Sequence, residues 1–363
     1  MFLAGDFEVT EMTMMNTELR TKSPSTTLFP ARKKVTISAS DMVAATSLDG
    51  ASQFPLVLEP RLERWDLAGW IAGQQNYLRE QLRIHGAILF RGFGVDSAAG
   101  FRACVAALSP ELLDYTERAA PRKEIGKSIY TSTEYPADQC IPLHHEMSYS
   151  HHWPMKIWFY CDEPAATGGC TPIADDRKVF GLIEERVREQ FLKKKVMYVR
   201  NFGQGVDLPW QEVFQTDDRR TVEKYCTETG IEFEWRSGDR LRTRQIRQVV
   251  VKHPETGDLT WFNHAHMFHV SNLEPAVRSA LLSEFRDDEL PRNAFFGDGS
   301  SIPDEVLETI RRTYSDAAVR FAWRRGDLLV LDNVLATHGR DPFTGERRTL
   351  VAMAEMHTNP DVR

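Results

Sequence analysis

The sequence predicts a mainly β fold with peripheral α-helices, of the sandwich or jelly-roll kind, on three observations. Short runs rich in β-branched and aromatic residues recur along the chain: KIWFYC, VMYVRNF, IEFEW, VVVKH, LTWFN, VRFAW, DLLVLDN and RTLVAMAEM. Turn signals separate neighbouring runs, PETGD between VVVK and LTWF and RRGD between VRFAW and LLVLDN, which is the punctuation of antiparallel hairpins. The helical patterns fall mostly outside the stretches that hold the histidines, so strands surround those histidines and helices flank them.

Taken in order, residues 1–50 are rich in Thr, Ser and Met without helical or alternating period and read as a flexible leader. Residues 51–363 read as a single domain, since neither a repeat nor a low-complexity tract divides them. Asp66 is placed to cap a helix in which Leu67, Trp70, Ile71, Leu78 and Leu82 recur at helical spacing up to Gly86, where the extended run AILFRGF begins. Residues 176–195 and 273–287 also read as helices.

The bulk numbers exclude several classes. The 363 residues carry a formal net charge of -7 without a long block of one sign, which argues against nucleic acid as a partner. No run of about 18 apolar residues occurs, and the N-terminal region lacks the apolar stretch of a secretory signal, so the expectation is a chain with no membrane association. Cys104, Cys140, Cys161, Cys170 and Cys226 are odd in number and form no CxxC pair, which speaks against a disulfide framework or a thiolate zinc site and for a reducing, cytoplasmic home.

Chemistry is concentrated in two segments. In PLHHEMSY, His144 and Glu146 are two apart, so on an extended strand an imidazole and a carboxylate project to one face and can grip a single ion. His338, in LLVLDNVLATHGRDPF, follows a buried-looking strand where the chain turns polar and is the candidate third ligand. Two histidines and one carboxylate form the facial triad of non-haem iron(II) oxygenases, which leaves three positions open. An isolated HxE is weak, because half-buried histidines are more often simply hydrogen-bonded.

Arg348, ten residues beyond His338, opens the strand RTLVAMAEM and can clamp a carboxylate through two parallel hydrogen bonds; Arg347 would then face the other way. The bland alternative is a pair of surface arginines at a strand edge.

The segments PLHHEMSYSHHWPMK, EPAATGGCTPIADDRKV and LLVLDNVLATHGRDPFTGERRTLVAM resemble the taurine dioxygenase/clavaminate synthase family, and most of all its branch associated with nonribosomal peptide synthesis, typified by the syringomycin aspartyl β-hydroxylase. The similarity runs from about Leu56 to His357. It implies a double-stranded β-helix core, iron(II) as cofactor held by His144, Glu146 and His338, and 2-oxoglutarate and oxygen as co-substrates. It further implies that Arg348 and Thr171 hold the distal carboxylate of 2-oxoglutarate. His145, Cys170 and His264 stand where the branch usually has Asn, an acidic residue and Gln. His145, His264, His266 and His269 are expected in packing or in the substrate pocket, Cys170 as a small buried residue, and Trp261 and Asn263 as core or pocket lining.

The resemblance implies hydroxylation of an unactivated C–H bond, with desaturation as a variant; Glu146 fills the position that a halogenating relative leaves for chloride. Relatives acting on free amino acids or sulfonates place a second arginine four residues beyond the co-substrate arginine, where this chain has Ala352. A methyl group cannot hold a carboxylate, so the expected substrate is amino-acid-like and tethered to a carrier protein, unless Arg122, Arg340 or Arg347 replaces the missing cation. The competing readings are hydroxylation or desaturation of a free small acid, a zinc hydrolase that works without oxygen, and a non-catalytic jelly-roll regulator that binds a small anion.

Overall fold

A capped helix pair feeds the first central strand of the fold. The structure is a computed structural model and describes residues 42–48, 53–62, 65–114, 117, 122–132, 135–203 and 207–359. The Asp66 side chain accepts from the backbone N–H of Gly69 at 3.0 Å, and helices Leu67–Gly73 and Gln75–His85 follow, interrupted at Gln74. Leu67, Trp70, Ile71, Leu78 and Leu82 are all buried, as their spacing predicts. Gly86 ends the pair at φ 71, a left-handed position that suits glycine, and Ala87–Phe90 continues as a strand.

That strand belongs to an eight-stranded sheet in the order Val43–Thr46, Leu56–Pro60, Ala87–Phe90, Leu328–Asp332, His152–Glu163, Arg348–Thr358, Ile129–Thr131 and Glu124–Gly126. Its pairings are antiparallel except between Leu56–Pro60 and Ala87–Phe90. One face, with Phe90, Trp158, Tyr160, Leu350 and Ala352, packs against the helix pair and against helix Ala98–Leu108. The opposite face presents Leu89, Ile157, Phe159, Leu331, Val351 and Met353. Each such side chain removed from water contributes on the order of 1.5–3 kcal/mol, so this alternation fixes which residues of Arg348–Thr358 face inward.

A three-stranded sheet has Ala336–Arg340 between Ile141–His144 and Ile173–Asp175. A further sheet orders Glu232–Arg236, Arg240–Arg247, Val196–Phe202 and Arg292–Phe296.

Several expectations change. Helices occupy about as much chain as strands, because Ala98–Leu108, Arg219–Glu228 and Asp304–Ala317 add to those foreseen. The first is read from Ala-rich sequence behind a Ser97 cap that accepts from Gly100 N at 3.2 Å. Residues 176–195 form two helices, Asp176–Leu182 and Glu185–Lys194. VVVKH and LTWFN pair across PETGD only at Val251–Lys252 and Leu259–Thr260. VRFAW is no strand: Val319 makes an isolated bridge to Ile173, while Phe321 and Trp323 are drawn into the core, so RRGD is a turn without a hairpin. Of the stretch read as a leader, 1–41 and 49–50 lie outside the described residues; within 42–48, Val43–Thr46 is a strand paired with Leu56–Pro60, anchored by buried Val43. No described helix is long and apolar enough to cross a membrane.

Candidate active site

Ala336–Arg340 sets two histidines face to face. His338 is the antiparallel register partner of His144, and their ring centroids lie 4.5 Å apart. Glu146 is not on the strand, as its spacing had suggested: the strand ends at His144, and Glu146 starts the turn in which Met147 takes φ 58. The turn still delivers the carboxylate, with Oε2 3.8 Å from His338 Nε2. One ligand atom from each of His144, Glu146 and His338 lies within 4.8 Å of the others.

The donor set fits a ferrous ion. His144 Nδ1 donates to the Pro142 carbonyl at 2.8 Å, which leaves the Nε2 lone pair for a metal. Burial lowers the pKa of His144 and takes that of His338 well below the usual imidazole value, so both rings are neutral at neutral pH, the form in which an imidazole can bind a metal. Asn333 braces the corner: its Oδ1 accepts from Glu146 N at 2.8 Å and its Nδ2 donates to Glu146 O at 2.9 Å. Arg122 Nη2 donates to Glu146 Oε2 at 2.7 Å, a pair closed off from solvent.

A narrow cleft beside the triad is lined by His144, His338, Thr171, Arg347, Thr349 and Val351. Arg347 Nε donates to the Gly169 carbonyl at 3.0 Å and Nη2 to Thr171 Oγ1 at 3.4 Å. Trp323 Nε1 also donates to Thr171 Oγ1, at 3.0 Å, so the hydroxyl accepts twice and keeps its own hydrogen for an acceptor in the cleft. Burial brings the Arg347 pKa down to about 10, leaving a cation at neutral pH, and among the described residues it makes no ion pair with a carboxylate.

Arg348, expected in this position, points away. Its side chain is 60% exposed and pairs with Asp162 on the outer side of the sheet. Alternation explains the exchange, because Thr349, Val351 and Met353 face inward while Leu350 and Ala352 pack outward, which leaves Arg347 on the inner side. The position four residues beyond the inward arginine is therefore Val351, not Ala352, and it is likewise apolar.

The other candidates separate cleanly. Arg340 is spent on three backbone carbonyls, those of Tyr135 (2.9 Å), Pro136 (2.5 Å) and Gln139 (2.7 Å). His145 packs behind the triad, with Nδ1 donating to Asn333 O at 2.6 Å and Nε2 3.4 Å from Asp176 Oδ1. Trp261 is core, and Asn263 Nδ2 donates to Val249 O at 3.2 Å. His264 precedes helix Ala265–Phe268 and lines a second cavity, its Nδ1 2.6 Å from Ser148 Oγ. His266 is buried, with Nε2 donating to Leu143 O at 2.8 Å. Cys170 is partly exposed rather than buried.

The second cavity, about 260 Å³, has His144 and Glu146 in its wall. Ile141, Pro142, Met267, Phe268, Val277 and Leu281 make it largely apolar, with Arg122 and Arg292 as its cations. The triad thus stands between a small cationic cleft and a larger apolar one. Arg347 and Asn333 are the residues that sequence reasoning misplaced or missed; the signal for Asn333 was a polar residue within the apolar run LLVLDNVLA.

Residues 54–354 match the family described as taurine catabolism dioxygenase TauD, TfdA family. The chain is 45% identical over 276 residues to the dapdiamide synthesis protein DdaC of Enterobacter agglomerans, covering 76% of this chain and 84% of that protein. It is 32% identical over 296 residues to a clavaminate synthase-like protein of Arabidopsis thaliana, covering 78% and 86% respectively. In fold it is similar to the PvcB protein of Pseudomonas aeruginosa, with TM-score 0.53, 16% identity, and 90% of this chain and 97% of that one covered. The chain therefore belongs to the taurine catabolism dioxygenase TauD/TfdA family and is an iron(II)- and 2-oxoglutarate-dependent dioxygenase.

Proposed function

We propose that this dioxygenase hydroxylates an unactivated C–H bond of an amino-acid-like substrate tethered to a carrier protein, in the making of a natural product, within the cytoplasm. The observation that carries the reading is the distribution of charge around the triad. On one side Arg347 is a half-buried cation with a hydroxyl beside it and, among the described residues, no acidic partner; on the other, the wall is largely apolar, with Arg122 and Arg292 at its edge. A small dianion suits the first side, and a substrate whose carboxyl is already masked as a thioester suits the second. The likeness to a protein named for dapdiamide synthesis supports the biosynthetic setting.

In this reading His144, Glu146 and His338 hold the metal, and Arg347 with Thr171 holds the distal carboxylate of 2-oxoglutarate. Bound iron(II) supplies the oxidation in which 2-oxoglutarate yields succinate and carbon dioxide while one atom of oxygen goes to the substrate. The protein's contribution is placement: the Thr171 hydroxyl and the Arg347 guanidinium fix one end of the co-substrate, and Phe159 and Val351 shield it from water. Ile141, Pro142, Met267 and Phe268 align the substrate chain past the metal. We read the eight-stranded sheet and the strands that carry the histidines as the two sides of a jelly roll, in contact where the Phe159 and His338 rings come within 5.0 Å.

Arg292 in the cavity wall favours a second reading, hydroxylation or desaturation of a free small acid. Incubating the iron-loaded enzyme with 2-oxoglutarate, oxygen and either free amino acids or the same residues loaded on a carrier protein separates the two. Mass gain of one oxygen atom confined to the carrier-bound substrate is expected; full turnover of a free amino acid overturns the tethered reading.

A further inference from the structure

The wall of the larger cavity holds a polar side chain with no part in the triad or the cationic cleft. His264 lines that cavity with its ring centre 5.4 Å from that of His144, 5.0 Å from that of Tyr149 and 5.3 Å from that of Phe268. Its backbone N–H donates to the Tyr198 hydroxyl at 2.7 Å, and Ser148 Oγ lies 2.6 Å from its Nδ1, so backbone and ring are both held.

The proton between Ser148 and His264 decides what the ring offers to the cavity. Ser148 is fully buried, and among the described residues its hydroxyl has no other hydrogen-bond partner. Were Nδ1 the donor, the Ser148 proton would be buried without an acceptor, a costly arrangement. Ser148 therefore donates to Nδ1, which leaves a neutral ring with its N–H on Nε2, the nitrogen that no described residue engages.

We propose that His264 is a specificity-determining residue: its Nε2–H donates to a carbonyl oxygen of the substrate, which for a carrier-tethered substrate is the thioester carbonyl. This rests on the larger cavity being the substrate's side of the triad.

The acceptor follows from the donor and its surroundings. An α-ammonium group only donates and has nothing to offer Nε2–H. A carboxylate is better served by Arg122 or Arg292 of the same wall. A neutral carbonyl needs a single N–H and tolerates the apolar side chains of Ile141, Pro142, Met267 and Phe268 around it. Two other donors of the wall are committed inside the protein: the Tyr149 hydroxyl donates to Glu117 O at 2.6 Å and Asn272 Nδ2 to Met267 O at 3.2 Å. Because the ring is fixed beside His144, the bond sets the distance from that carbonyl to the triad, and so selects which C–H bond of the substrate is presented.

The test pairs two substrates that differ in the carbonyl alone: an amino acid on its carrier protein as the thioester, and the thioether analogue with CH2 in its place. With the iron-loaded full chain, kcat/KM is read from the mass gain of one oxygen atom in wild type, His264→Leu and His264→Gln. Wild type is expected to favour the thioester roughly 10- to 100-fold, His264→Leu at most about twofold, and His264→Gln, whose amide keeps an N–H, to regain most of the preference. Comparing preferences between variants cancels any difference in C–H reactivity, and an unchanged 2-oxoglutarate affinity in all three shows the triad intact. A wild-type preference in folded His264→Leu, or no recovery with glutamine, would overturn the role. The donor is checked apart from turnover in Zn(II)-loaded protein carrying 15N-labelled histidine, with the His264 signals assigned by their absence from His264→Gln. A protonated Nε2 and a bare Nδ1 are expected; a protonated Nδ1 would overturn the assignment. Full turnover of the free amino acid overturns the tether alone, and His264 is then judged by the same ratio on the amino-acid amide against the amine that lacks its carbonyl group.

Discussion

Arg347 and Arg348 are chain neighbours on opposite sides of one strand: Arg347 donates to Thr171 in the metal cleft, and Arg348 pairs with Asp162 at the surface. Only the inward cation can meet a ligand of the metal. Arg347→Met should therefore raise the Kd for 2-oxoglutarate roughly a hundredfold, the scale of leaving a buried charged group without its partner. Arg348→Met should leave that Kd unchanged and cost less than about 1 kcal/mol of stability, as exposed pairs do. Anaerobic titration of the visible charge-transfer band of the iron complex measures both. Equal losses in the two variants would contradict the assignment.

Arg340 sits two residues after His338 and binds the carbonyls of Tyr135, Pro136 and Gln139, while its guanidinium also lies 5.8 Å from the Tyr135 ring centre and 5.2 Å from that of Phe343. It ties a loop that contributes Tyr135 to the larger, mostly apolar cavity. Arg340→Met keeps the aliphatic packing and removes three charged hydrogen bonds, so a loss of about 2–4 kcal/mol is expected from urea denaturation. Cleavage by protease near 135–139 should become faster. A substrate-binding arginine would instead lose substrate affinity with no change in stability.

The three candidate ligands could be picked out because their chemistry is rare and local: His144 and Glu146 share a short segment, His338 ends an apolar run, and the structure gathers all three. Which of the two arginines faces the cleft was not legible, since adjacent residues differ only in which side of a strand they occupy, and that phase is set by how Leu350 and Ala352 pack against helices far away in the chain. VRFAW misled for a related reason. Its alternation is real, and Phe321 and Trp323 are buried, yet the segment finds no continuous strand partner and pairs only at Val319. The helices Arg219–Glu228 and Asp304–Ala317 carry apolar residues at helical spacing, Val222 with Cys226 and Leu307 with Ile310 and Tyr314, which the short flanking strands had overshadowed.

Two histidines outside the triad make stability depend on acid. Burial takes the pKa of His266 from 6.5 to about 3 and that of His269 from 6.5 to about 4. Both bind protons more readily unfolded than folded, so their contribution is complete above the unfolded value and falls as pH drops from there toward the folded values. Each should add a slope of about 1.4 kcal/mol per pH unit in that window. His266→Gln can still donate to Leu143 O and should flatten the curve between pH 6.5 and 4 by about that slope, read from urea midpoints of metal-free protein. Parallel curves for wild type and variant would show that His266 does not titrate this way.

Asn333 braces Glu146 without itself belonging to the candidate triad. Fully buried, it accepts from Glu146 N, donates to the carbonyls of Glu146 and Pro154 at 2.9 and 2.8 Å, and receives His145 Nδ1 on its own carbonyl. Both ends of the amide are thus used, one as acceptor and one as double donor, a pattern that aspartate cannot reproduce because it would set a carboxylate oxygen against two carbonyls. Asn333→Asp should weaken iron(II) binding roughly 10- to 100-fold, the usual effect of losing a partner that orients a metal ligand. Measured at a temperature where circular dichroism shows the variant folded, this loss separates orientation from collapse. Wild-type affinity in the folded variant would mean that the turn after His144 places Glu146 unaided, and that the brace serves only the packing of Pro154 and His145.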